Sequence, residues 1–317
     1  MPSAGEKEVQ SHFPSETVLA PPLVEAPTVD GQGYPGRSNG AILQLLRRPR
    51  FTVPAAGTLL LCMLAAFPGV FSGWFGHGDP RQCTLDNSGL GPREGHPFGF
   101  DIQGCDLYSN VIYGARTSLS IGLLTTLLTL VVAITLGALA GYFGGSVDML
   151  ISRVMDVFFG FPTLIGMIVV LQAFSVHNIV SVSLVLALFS WPILTRVMRA
   201  AVLETRSLDY IDAARSVGAG PVRILVRHVV PNSLTPVAVL SGLNVAAVIT
   251  AESGLTFLGV GMKAPAISWG VQLNTAQQYF SDHLHLLLFP ALFLSASVLC
   301  FVLLGDAVKD AFDPERR

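Results

Sequence analysis

Apolar positions gather into six runs long enough to cross a hydrocarbon layer, at about residues 52–72, 119–142, 154–174, 178–197, 234–251 and 284–304. A hydrocarbon core of about 30 Å takes about 20 apolar helical residues to cross. A helix is the natural spanning form because it satisfies its own backbone groups in lipid. None of the runs shows the ten-residue alternation of a membrane barrel. The fold class expected from this pattern is an all-α membrane protein with six transmembrane helices.

The polar stretches between the runs set the remaining organisation. Residues 1–40 hold six prolines and five glycines with no periodic apolar order, which predicts a disordered tail. Glu6 and Glu8, with no apolar core behind them, argue against a secretory signal. Residues 41–51 read as a short interfacial helix, with Leu43, Leu45 and Leu46 toward lipid and Arg47, Arg48 and Arg50 toward headgroups. The first span is then 52–72, and 119–308 forms the transmembrane core, ending in a short segment 309–317. Two connecting stretches, 73–118 and 198–233, are too long to be plain turns, and such loops are usually functional or disordered.

Lys and Arg fix the expected orientation. With the N-terminus inside, six spans return the C-terminus inside, and fifteen basic residues are cytoplasmic. Only Arg81, Arg93, Arg116 and Lys263 lie outside. Loop 73–118 is then outer and loop 198–233 inner. Composition agrees with a membrane solvent: 13% of residues are charged, against about 25% in soluble domains. The net charge of −2 says little about partners, but the lack of a basic stripe with interleaved aromatics argues against nucleic acid.

The inner loop carries the most specific chemistry. Helical runs flank a Gly218-Ala219-Gly220-Pro221 break. Ser207 or Asp209 is expected to cap the first short helix, and Gly218 to take the left-handed conformation at its end. A second helix restarts over 222–230, and Pro231-Asn232 leads into the fifth span. The resulting hairpin offers Tyr210, Ile211, Ala213, Ala214 and Val217 as a small apolar face suited to a partner's groove. The same arginine-rich hairpin is also compatible with lying on anionic headgroups.

The segment DAARSVGAGPVRILVRHVVPN resembles the "EAA" loop of importer-type ABC permeases, an acid, two alanines and a glycine four residues on. Asp212, Ala213, Ala214 and Gly218 supply that pattern, with Asp in place of the usual Glu. The RHVVPN continuation is similar to the peptide and nickel branch. HPFGFDIQGCDLYSNVIYGARTSLSIGL, beginning at His96, resembles a segment of the C-type subunit of dipeptide and oligopeptide importers. It departs from that segment in having Phe100 for Thr and Cys105 for Arg. GALAGYFGGSVDMLISRVMDVFFGFP, ITAESGLTFLGVGMKAPAISWG and the ending LLGDAVKDAFDPERR extend the resemblance to nearly everything after residue 40.

That resemblance implies a permease subunit of an ATP-driven peptide importer in a bacterial cell membrane, working by alternating access. It implies four kinds of partner: a B-type permease subunit, two ATP-binding subunits, an extracytoplasmic peptide-binding protein and the bilayer. Tyr210, Asp212, Ala213, Ala214, Gly218, Arg223, His228, Pro231 and Asn232 would form the surface that meets the ATPases. No G-x-x-x-x-G-K-[ST] phosphate loop occurs, so ATP and Mg are expected in the partner ATPases and no cofactor in this chain. Nickel chelates or glutathione are alternative cargoes within the branch. A self-contained secondary transporter is the rival from another class, opposed by the hairpin and the lack of repeated halves. No catalytic constellation is assembled, so the chain is not expected to be an enzyme.

Four further groups stand out. Glu252, beside Gly254, Gly259 and Gly261, either faces a translocation path or sits at the outer interface bonded to turn amides. Arg153 and Asp156 read as an i, i+3 pair, with contact to a second subunit as the sharper option. Cys62 and Cys300 fall within spans as packing residues, whereas Cys83 and Cys105 share the outer loop and are a candidate disulfide. His283 and His285, without a third ligand nearby, read as interfacial histidines rather than a metal site.

Overall fold

The structure is a computed structural model that describes residues 49–75 and 78–312. The tail expected over 1–40, the interfacial helix up to residue 48 and the final residues 313–317 lie outside the described residues. The helices are α1 (Pro49–Ala66), α2 (Pro68–Ser72), α3 (Leu107–Phe143), α4 (Gly145–Gly160), α5 (Thr163–Gln172) and α6 (Ile179–Arg206). They continue with α7 (Asp209–Ser216), α8 (Pro221–Ile224), a π-helical turn (Leu225–Val229), α9 (Val230–Phe257), α10 (Trp269–Ala276) and α11 (Leu284–Phe312). Among the described residues five helices are long and apolar enough to cross a membrane, or six if the bent pair α4–α5 counts as one span.

Three of the expected spans differ from the pattern, the first because the run at 52–72 breaks at Phe67, before Pro68, into α1 and α2. The run at 154–174 is not one helix: α4 and α5 meet at 91°. Phe161 is extended there, with φ −95° and ψ 135°. A residue before proline is pushed out of the helical region, and Pro162 has no N–H with which to continue the ladder. The run at 119–142 is the apolar part of a longer helix. The 37 residues of α3 reach about 55 Å at 1.5 Å per residue, well beyond a 30 Å core. Its first three turns carry Ser109, Asn110, Tyr113 and Arg116, polar enough to hide the helix from a hydropathy reading.

Helices in lipid gain little from apolar burial against one another, so close approach of backbones decides how they pack. Ala133, Gly137 and Gly141 recur every four residues on α3, facing α6. A methyl group added at Gly137 would stand 2.6 Å from the Met198 Cβ and 2.9 Å from the Thr195 carbonyl. At Gly141 it would stand 2.8 Å from the Arg199 carbonyl. Higher on the same helix, Gly122 leaves room for Ile249 of α9 in the same way. On the other side, Gly57 of α1 accommodates Cys300 of α11, and Gly242 of α9 meets Gly305 of α11 backbone to backbone.

These contacts leave a bundle with two distinct ends. One carries α7, α8 and the π turn, and its core gathers Ala133, Met198, Val202, Ile211, Ile224 and Val229. The other carries residues 73–75 and 78–106, the turns 173–178 and 258–268, and α10, over a core that includes Val111, Leu119, Ile249 and Trp269.

Candidate functional site

At the hairpin end, α7 is a two-turn helix closed by a Schellman motif. Gly218 takes φ +87°, its N–H bonds the Arg215 carbonyl at 2.9 Å, and the Ala219 N–H reaches back to the Ala214 carbonyl at 3.1 Å. Only a residue without Cβ adopts that conformation at no cost. Ala214 and Ala219 are both partly buried against the hairpin-end core, the apolar contact that accompanies this motif. The N-terminal end differs from expectation. Neither Ser207 nor Asp209 caps α7: the N-cap is Leu208 with no side-chain bond, and the Ser207 hydroxyl donates instead to the Glu204 carbonyl. Asp209 and Asp212 in the first turn still oppose the positive end of the helix.

The two faces of α7 have opposite destinations, which corrects the single apolar face read from the sequence. Ile211 is fully buried, and Ala214 beside it is half-buried, both in the core cluster with Met198 and Val202. Tyr210, Ala213 and Val217 follow at helical spacing on the other side and are exposed. Val222 of α8 and Val226 of the π turn add to the exposed apolar surface. Asp212, the acid of the motif, is exposed and pairs with Arg215 at 2.8 Å. Arg223, Pro231 and Asn232 are exposed, whereas His228 is half-buried and its carbonyl accepts the Asn232 side-chain amide.

The hairpin is tied to the bundle by polar contacts that no sequence motif announced. The Ser233 hydroxyl lies 2.9 Å from both the Thr205 hydroxyl and the Val229 carbonyl, locking the first turn of α9, where the hairpin returns to the bundle, to the end of α6. The Arg206 guanidinium donates at 2.9 Å to the carbonyls of Gly141 and Tyr142, the unsatisfied C-terminal end of α3. Arg199 grips Asp148 of α4 through both carboxylate oxygens, at 2.5 and 2.6 Å. The Arg153–Asp156 pair is also present, at 3.7 Å with both side chains exposed. The signal missed was a run of arginines in the last turns of α6, which reads as a solvated helix end until its partners are known.

At the loop end the chain folds into a small lobe. The sulfurs of Cys83 and Cys105 lie 2.05 Å apart, at bonding distance. Asp106 is fully buried, caps α3 through the Ser109 N–H at 2.9 Å and meets His96 Nδ1 at 2.9 Å. Phe100 is fully buried beneath His96, and Arg93 lies over its ring at 4.6 Å. Burial pushes the Asp101 carboxyl above the ordinary carboxylate range, opposed by the backbone N–H groups of Cys105 and Gln103 that it accepts. His285 Nε2 meets the Phe100 carbonyl at 3.2 Å, and the His283 ring fills the space beside Gly89.

Glu252 is enclosed rather than open to a path. Its side chain has no exposure, and its oxygens accept from Thr256 at 2.9 Å and Ser253 at 3.2 Å. Ser118 of α3 and Ser268, the N-cap of α10, complete the set of hydroxyls around it. The carboxylate thus joins α9, α3 and the start of α10. Trp269 extends the same junction, donating from its indole to the Val111 carbonyl at 2.9 Å.

Two adjoining cavities open at this end. One, of about 350 Å³, lies between Pro80–Cys105 and α10, and Asp101, Asn110 and Gln272 are among its walls. The other, of about 890 Å³, lies between the turn at 174–180 and the segment 262–266. Arg81 and residues 264–266 line both.

Residues 133–317 match the family described as "Binding-protein-dependent transport system inner membrane component". The glutathione transport system permease protein GsiD of Pectobacterium atrosepticum is 36% identical over 230 residues, 73% of this chain and 76% of the relative. The dipeptide transport system permease protein DppC of Bacillus subtilis is 33% identical over 273 residues, 86% of this chain and 84% of the relative. Among solved structures, an inward-facing conformation of the MetNI methionine ABC transporter aligns with a TM-score of 0.54 at 15% identity. It covers 64% of this chain and 97% of that one, a likeness of fold.

Proposed function

Since the chain belongs to the family of inner membrane components of binding-protein-dependent transport systems, we propose that it is one of two permease subunits of an ATP-driven peptide importer. The observation that carries this reading is the α7 hairpin. It is anchored by Ile211 and Ser233, closed by Gly218, and presents Tyr210, Ala213 and Val217 outward. A lipid-surface helix would turn its apolar side chains toward the bilayer. Here one apolar set is already consumed by the bundle, and a second is left for a partner.

On this reading the hairpin end is cytoplasmic and docks on an ATPase subunit, and both termini lie on that side. ATP and Mg belong to the ATPases; this chain contributes no catalytic group. ATP-driven closure of the ATPases moves the hairpins of the two permeases together. Arg206, Arg199 and Ser233 pass that motion into α3, α4 and α6 as a rigid-body change. The loop end faces outward toward the binding protein. There Cys83 and Cys105 are oxidised, and mass mapping without reductant that finds two free thiols would refute the bond.

The substrate is a short peptide. The glutathione permease relative supports a second reading within the same function, since glutathione is itself a modified tripeptide. Uptake of labelled dipeptide into proteoliposomes holding the full importer tests the proposal. ATP-dependent accumulation is expected, and competition by glutathione decides between the two cargoes. Accumulation that needs an ion gradient and no ATP would overturn it.

A further inference from the structure

We propose that the larger cavity at the loop end receives the C-terminal carboxylate of an incoming peptide, held between Arg81 and Lys263. The inference rests on the importer reading, which makes this the end where cargo arrives. Arg81 and Lys263 are the formally charged side chains among the residues lining the cavity. Both are exposed, and neither has an ion-pair partner within 4 Å among the described residues. Asp79 accepts the Arg81 backbone N–H at 2.9 Å, a bond that does not engage the guanidinium.

The walls are held apart at a set spacing. His177 Nδ1 meets the Gly261 carbonyl at 2.9 Å, fixing the 174–180 turn against the segment that carries Lys263. Asn178 caps α6 through the Ser181 N–H at 2.8 Å, so the turn itself is ordered. An open hollow whose lining residues include two cations and no carboxylate concentrates negative ligands. The planar fork of an arginine matches a carboxylate through two parallel bonds, and a lysine adds a mobile point charge.

The neighbouring cavity adds hydrogen-bond acceptors beyond the shared arginine and so sets the polarity. It shares Arg81 but contains the Asp101 carboxyl, and the buried Gln272 Oε1 has no hydrogen-bond partner. Acceptors there repel a carboxylate and suit an ammonium group. A zwitterionic peptide lying across the two would put its C-terminus beside Lys263.

Saturation-transfer NMR on the assembled permease–ATPase complex in phosphatidylcholine nanodiscs, without the binding protein, tests the site. The probes are trialanine and its C-terminal amide. The acid is expected to saturate at least fivefold more tightly than the amide, and Arg81→Gln with Lys263→Gln to remove that difference. The charge-preserving pair Arg81→Lys with Lys263→Arg should retain it. Equal binding of acid and amide to the wild type, or a preference that survives the double Gln variant, would overturn the proposal. So would a preference that vanishes when half the lipid is anionic phosphatidylglycerol, which would assign the cations to lipid phosphates. Failure of the complex to assemble at all would count against the importer reading instead.

Discussion

Individual residues here are chosen by backbone conformation and by what a side chain is made to face. Gly218 has open space where a Cβ would be added, so the cost of Gly218→Val is all backbone strain. At φ +87° that cost is roughly 1–2 kcal/mol, about a tenfold change in a local opening equilibrium. Hydrogen-exchange protection of the α7 amides should fall by about that factor while the spans keep theirs. Unchanged α7 protection would show that the closing turn does not hold the helix. Asp101 gives a pH-dependent case. Its carboxyl is raised above its unfolded value, so folding is favoured by the protonated form. That contribution is complete below the unfolded pKa of about 3.9 and is lost as pH rises through the folded value. Asp101→Asn keeps the oxygen that accepts from Gln103 and Cys105 and removes the charge. The variant should therefore protect the 83–105 lobe better at neutral pH, with the advantage vanishing toward pH 4. An advantage that grows as pH falls would contradict this assignment.

At the scale of elements, the sequence revealed where helices are apolar more clearly than where they begin or bend. Hydropathy found the 119–142 run but not the polar first turns of α3, because a helix projecting past the bilayer needs no apolar residues there. The Phe161-Pro162 bend was readable in principle from the proline, yet the apolar run continues through it and masked the break. The hairpin was legible because Gly218, Gly220 and Pro221 punctuate it. Which face of α7 turns inward was not, since Tyr210, Ile211, Ala213 and Ala214 are all small or apolar, and only packing separates them. The contacts of Arg199 and Arg206 were hidden for a related reason: their partners lie 51 and 64–65 residues away in sequence. Helix pairing itself rests on absent side chains. Gly137→Val would drive atoms into Met198 and the Thr195 carbonyl, and overpacking of this kind costs about 1–3 kcal/mol. The purified protein should lose several degrees of thermal stability in detergent, whereas Gly254→Val, with nothing within 4 Å of the added Cβ, should not. Equal losses would mean that the α3–α6 contact is not the close one described.

For the whole molecule, the fold links a hairpin at one end to the disulfide-bearing lobe at the other through three long helices, α3, α6 and α9. Glu252 and its hydroxyls join α3 and α9 at the loop end, and Arg206 and Ser233 join α3, α6 and α9 at the hairpin end. On the importer reading, these contacts carry a motion of the hairpin into the three helices. On that same reading this hairpin is where the ATPases take hold. Ala213→Arg tests it most directly, because Ala213 is exposed, whereas the neighbouring Ala214 is packed into the core and would confound docking with folding. Co-purification from mild detergent should recover the second permease and two ATPase chains with the wild type, and the second permease alone with Ala213→Arg. If the variant retains the ATPases in full, or the wild type recovers none, the hairpin is not the coupling surface.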